Sequence, residues 1–190
     1  MSAAAAGAGA PPGAKAPTGA EVRVWDPFVR IGHWTLASAV AIAWLAHEGP
    51  VVLHESAGYL ALAVVALRLV WGFVGPARAR FSDFVRGPAA TLAYARAVLA
   101  CREPRVLGHN PLGAWMILAL LATVAVTGVS GWLLDTDAFF GSEPVETVHA
   151  LAANLLLGLI PLHVLGVILA SRRHGENLVL AMLTGRKRAG

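Results

Sequence analysis

Long apolar runs alternate along this chain with short polar connections. Four runs stand apart, at about residues 29–46, 57–75, 112–134 and 147–170. Each is near the roughly 20 residues that a helix needs to cross a bilayer, the first being the shortest. The pattern predicts an all-α fold, a transmembrane four-helix bundle occupying residues 21–175. The long connection between the second and third runs contains a further helical stretch, Ala89–Leu99, expected to lie on the membrane surface beside several arginines. Residues 1–20 are Ala, Gly and Pro with one Lys and are expected to be a disordered tail. They lack the apolar core of a signal peptide and are expected to be retained. Residues 176–190 read as a basic tail.

Composition agrees with this pattern: of the 190 residues, 57% are hydrophobic and 14% charged, outside the usual soluble range. Charge placement orients the bundle. Of the 15 Lys and Arg, three precede the first run (Lys15, Arg23, Arg30) and six lie in the middle connection (Arg78, Arg80, Arg86, Arg96, Arg102, Arg105). Five more follow the last run (Arg172, Arg173, Arg186, Lys187, Arg188). The other two connections contain no Lys or Arg and six acids: Glu48, Glu55, Asp135, Asp137, Glu143 and Glu146. The positive-inside rule then puts both termini and the middle connection of this multi-pass protein in the cytoplasm. The net charge of +4 reflects topology and lipid contact, not nucleic-acid binding. The single cysteine, Cys101, permits no internal disulfide, and no Cys-x-x-Cys-His motif attaches haem covalently. No phosphate-binding loop or hydrolytic triad is discernible.

The candidate chemistry lies in the last run. His149 and His163 are 14 residues apart, almost four helical turns, so both rings leave one face with a rise of about 21 Å between them. Polar rings at such depth are costly unless something binds them. Two b-type haems, each held by one histidine of this helix and one of a neighbour, account for the spacing. The chain offers partners at matching depths: His33 at the cytoplasmic start of the first run pairs with His163, and His54 at the outer start of the second pairs with His149. His47, in the outer loop, competes with His54. Arg68 follows His54 by the same 14 residues, which favours His54 and brings a cation to the inner depth, suited to a haem propionate. The other use of Arg68 is snorkelling to the headgroups. Ala37, Gly58, Ala153 and Gly166, one turn beyond the four histidines, leave room for a flat macrocycle. Pro161 removes a helical hydrogen bond near the inner pair and is expected to bend the helix there. Trp34, Trp71, Trp115, Trp44 and Trp132 read as interfacial belts.

Several pieces resemble the bacterial cytochrome b561 family, within the group that includes b-type cytochrome subunits of nickel-iron hydrogenases. They are Arg30-Ile-Gly-His33-Trp34, His54 with Gly58-Tyr59, Arg68 with Trp71-Gly72-Phe73, Gly108-His-Asn-Pro-Leu-Gly113, His149 with Asn154, and His163. The resemblance spans about residues 22–188. It implies a di-haem membrane electron carrier with axial ligands His33, His54, His149 and His163, working between a quinone pool (ubiquinone or menaquinone) and a redox partner protein in a respiratory-type chain. His109 and Asn110, beside the inner site, are quinone candidates. Many family members have His-Glu where this chain has His149-Ala150, so Glu146 is a candidate for orienting the His149 ring. Two uses stay open: a quinone oxidoreductase in its own right, or the cytochrome b anchor of a hydrogenase or dehydrogenase. A haem-free transporter or structural bundle is the rival from another class.

Overall fold

A computed structural model describes residues 21–189, so the expectation for residues 1–20 lies outside the described residues. Four helices are long and apolar enough to cross a membrane: α1 (Pro27–Leu45), α2 (Val51–Val74), α5 (Pro111–Leu134) and α6 (Glu143–His174). Between α2 and α5 come a 3-10 turn at Ala77–Ala79, the short helix α3 (Phe81–Phe84) and α4 (Pro88–Leu99), which matches the expected surface helix within a residue. After α6 come α7 (Leu178–Thr184) and the strand β2 (Arg186–Arg188), which pairs antiparallel with β1 (Glu21–Arg23). The protein is an all-α transmembrane four-helix bundle with this small ribbon at one end.

Local chemistry sets the helix limits. The Asp26 carboxylate caps α1 by accepting from the Val29 amide at 3.1 Å, and Pro27 occupies the first turn. Asn110 caps α5 in the same way through the Gly113 amide at 2.8 Å, followed by Pro111. α6 begins with Glu143 and Glu146 and ends with Arg172, Arg173 and His174, each charge set matching the helix dipole. These polar turns extend α6 beyond the apolar run at both ends, which hydrophobicity alone does not reveal. Pro161 sits inside α6, and the helix continues through it. Gly175 then stops it in the left-handed conformation at φ 58°. At the end of α2 the Phe81 ring folds under Gly72, so closely that any Cβ there would collide with it.

Packing runs α1 on α2, α2 on α5 and α5 on α6; α6 does not pack closely on α1 or α2. The core holds Ala39, Ala61, Val65, Leu121, Val124 and Leu156, small and branched residues that let helices approach. Ile31, Leu60, Leu67, Val126, Leu155 and Leu165 remain exposed, the surface expected of a bundle solvated by lipid. The chain ends are fastened at one face: the Gly185 carbonyl accepts from the Val24 and Trp25 amides at 2.8 and 3.2 Å. Arg30 donates to the Met182 and Leu183 carbonyls.

Candidate functional site

The gap between α6 and the α1–α2 hairpin contains four histidines in two facing pairs. His33 and His163 have ring centres 6.4 Å apart, and His54 and His149 have theirs 6.2 Å apart. Two imidazoles on opposite sides of one metal ion, each bonded at about 2.0 Å, have centres about 6 Å apart once the rings' own radii are added. Both separations match that figure. Among the described residues no group of three or more His, Cys, Asp or Glu is placed to hold a metal ion. A metal between either pair therefore has to bring its remaining ligands with it, as a tetrapyrrole does.

The outer pair has its proton positions fixed by backbone carbonyls. His54 Nδ1 lies 2.8 Å from the Ala43 carbonyl, one of the last four of α1 that the helix itself leaves without partners. His149 Nδ1 lies 3.0 Å from the Thr127 carbonyl and 3.2 Å from Ser130 Oγ, both on α5. A carbonyl only accepts, so each Nδ1 carries the hydrogen and each Nε2 keeps a bare lone pair for a metal. The groups that orient His149 are thus on α5; Glu146, the sequence candidate for this role, is exposed on α6. Gly131 makes the arrangement possible, since a Cβ there would stand 3.2 Å from His149 Cε1. His47, the competitor, points elsewhere: its Nδ1 meets the Trp44 carbonyl at 2.6 Å and its Nε2 faces Glu48 at 3.7 Å.

The inner pair is less completely tied. His33 packs edge-on against Trp34 at 5.1 Å, and its buried Nδ1 has no hydrogen-bond partner among the described residues. Arg68 reaches the inner end as expected, with one nitrogen donating to the Ala79 carbonyl at 3.0 Å and the guanidinium over the Phe81 ring at 5.0 Å. Its other terminal nitrogen is buried and has no partner among the described residues, which leaves a donor for an anionic group. Gly58 and Gly166 both border open space.

The loop before α5 adds His109, with Trp25 at 4.4 Å between ring centres and Phe84 at 4.8 Å. Burial, with the Arg68 and Lys187 charges and the two inner histidines, lowers its pKa to about 3, so its ring is neutral near pH 7. The Asn110 side-chain oxygen is committed to capping α5. Below them Lys187 and Glu176, both nearly buried, pair at 3.7 Å, and Arg105 pairs with the same carboxylate. Burial pushes the Glu176 carboxyl up, but Arg105, Lys187 and Arg188 outweigh it and hold it below the usual range.

A family model for prokaryotic cytochrome b561 matches residues 24–185, nearly the whole described chain. The chain belongs to the prokaryotic cytochrome b561 family. Comparison with curated proteins and with solved structures gives no match. As a cytochrome of this family it is a multi-pass bacterial membrane protein, embedded in the lipid bilayer, that binds b-type haem and transports electrons. The donor set between the helices fits that cofactor: paired imidazoles, those of His54 and His149 with Nδ1 bonded to carbonyls, and a spare guanidinium near the other pair. Sequence reasoning missed Ala43, Thr127, Ser130 and Gly131. The last three were detectable only as a small and polar cluster on one face of an otherwise apolar helix.

Proposed function

We propose that this cytochrome moves electrons across the bilayer by way of two non-covalent b-type haems in series, the inner held by His33 and His163 and the outer by His54 and His149. The observation that carries the reading is the pair of facing imidazole couples, both with separations suited to one metal ion, one at each end of the same stretch of α6. When bound, haem iron alternates between two oxidation states and so supplies one-electron capacity. The protein's own part is positional. Ala43 and Thr127 carbonyls hold the outer rings with Nε2 facing inward, and the hydrogen bonds raise the basicity of those nitrogens. Arg68 offers its free nitrogen to a propionate at the inner site, compensating a carboxylate where water is scarce. His109 supplies an uncharged ring beside the inner site for exchange with a quinone, and Asn110 contributes its amide group. The segments rich in Arg put both termini in the cytoplasm of an inner-membrane protein. The outer haem then serves a redox partner on the opposite side.

Absorption spectra of the reduced purified protein, with haem quantified per chain, test the proposal. Two haems per chain are expected, with fast reduction by added quinol. One haem per chain would refute the series arrangement, and reduction only by a protein partner would favour the role of anchor subunit in a hydrogenase or dehydrogenase.

A further inference from the structure

The ribbon joining the two chain ends has a charge arrangement that its own packing does not explain. Val22 and Lys187 face inward, so Glu21, Arg23, Arg186 and Arg188 share the exposed face. Arg23 lies directly opposite Arg186 in the register. Like charges so placed destabilise a strand pair. Arg78 adds a fourth cation at the same edge, donating to the Arg23 carbonyl. Four arginines thus gather at the ribbon with one carboxylate among them, Glu21, which lies 3.4 Å from Arg186, while Arg188 donates to the Gly175 carbonyl.

A cleft of about 500 Å³ opens beside this face, between the ribbon and α7. Arg186, Lys187 and Arg188 line it, with Asn177, Thr184 and Leu180. Glu21 and Glu176 line it too, but Glu176 is already matched by Arg105 and Lys187. α7 contributes an apolar border: Val179, Leu180 and Leu183 are each about half exposed, at 48%, 52% and 51%. Cations around a cleft and apolar side chains along its edge call for a ligand that is anionic at one end and greasy at the other.

We propose that this cleft and ribbon face bind an anionic phospholipid, its phosphate at Arg186 and Arg188, which line the cleft, with Arg23 beside Arg186 on the adjoining ribbon face, and its chains along α7. Guanidinium forks suit phosphate oxygens, and the bound anion removes the Arg23–Arg186 repulsion. A free phosphate answers the charge but leaves Val179, Leu180 and Leu183 uncovered. The site fastens the chain ends to the lipid surface, and it is independent of the haem assignments.

The test uses the full-length cytochrome in mixed micelles, titrated with phosphatidylglycerol or phosphatidylcholine and read by native mass spectrometry and by thermal melting. The parent is expected to retain phosphatidylglycerol and melt higher with it than with phosphatidylcholine. The pair Arg23→Gln and Arg186→Gln is expected to weaken that binding roughly thirtyfold, at the usual worth of two surface cations. The pair Arg96→Gln and Arg102→Gln, equal in charge but on α4 and the connection after it, is expected to keep it. Equal loss in both pairs means diffuse attraction and overturns the site. Stabilisation by inorganic phosphate as strong as by phosphatidylglycerol replaces the lipid with a free anion and overturns it too. Should the first pair fail to fold, Arg186→Gln alone is expected to cost roughly fivefold, and no loss refutes the proposal.

Discussion

Gly131→Ala is the sharpest probe of how the outer site is held. The added methyl would sit 3.2 Å from His149 Cε1 and 3.4 Å from Nδ1, closer than carbon contacts normally settle. The ring has to give by a few tenths of an ångström, and its Nδ1 is already 3.0 Å from the Thr127 carbonyl. Such a shift takes that bond beyond the usual range of about 2.7–3.2 Å. Losing it costs about 1 kcal/mol directly. The larger effect is release of the ring from its tautomer and aim, and loss of such outer partners typically lowers metal affinity about 10- to 100-fold. The α5–α6 backbone has no need to move, because the ring itself is the near neighbour. The assay is haem titration of the purified apoprotein, with the outer haem followed in a His163→Ala background that lacks the inner one, and the inner haem in a His54→Ala background that lacks the outer one. The expected result is outer-haem binding at least tenfold weaker, with helix content and inner-haem binding unchanged. Full outer affinity in the variant would refute the role given to the Thr127 bond; equal weakening of both haems would show a general packing defect instead.

Three further outcomes follow from the geometry. His163→Ala is expected to leave one haem per chain by pyridine haemochrome assay, whereas His47→Ala leaves two, since His47 is engaged with Trp44 and Glu48. His109 has a folded pKa of about 3 against an unfolded value of 6.5, so its contribution is complete above pH 6.5 and is lost as pH falls. Between pH 6.5 and 5.5 the loss from this ring is about 1 kcal/mol, measurable as a fall in melting temperature that His109→Gln makes smaller by that share. Glu176→Gln leaves Lys187 and Arg105 without their shared carboxylate and is expected to cost about 3 kcal/mol in the docking of α7 and the ribbon. Limited proteolysis reports it as faster cleavage after Arg186, and an unchanged cleavage rate would contradict the pairing.

How legible the molecule is from its sequence depends on whether a feature lives within one helix or between two. The 14-residue spacing of His149 and His163 is a property of a single helix, fixed by 100° per residue and 1.5 Å of rise, so it can be read before any packing is known. Depth follows equally directly, because bilayer thickness ties each end of a span to one surface. Together they reach the pairing of His33 with His163 and of His54 with His149, the couples whose rings face each other. What orients those rings was not legible. Ala43 and Thr127 act through carbonyls, which every residue has, and Thr127 meets His149 only through the relative register of α5 and α6. Residue identity carries little of that register where both helices are apolar on every side. The terminal ribbon was hidden for another reason: Glu-Val-Arg and Arg-Lys-Arg have no alternating apolar signal, and their pairing joins residues 165 apart in the case of Val22 and Lys187. Its stability comes from what lies beneath it, the Lys187–Glu176–Arg105 cluster and the Arg30 bonds to α7, rather than from strand propensity. A basic tail that looks solvated in the sequence is thereby drawn against the bundle end that carries His109 and the inner pair. The same fastening leaves Arg23, Arg186 and Arg188 on the ribbon's exposed face, which is what makes that face a candidate for an anionic lipid.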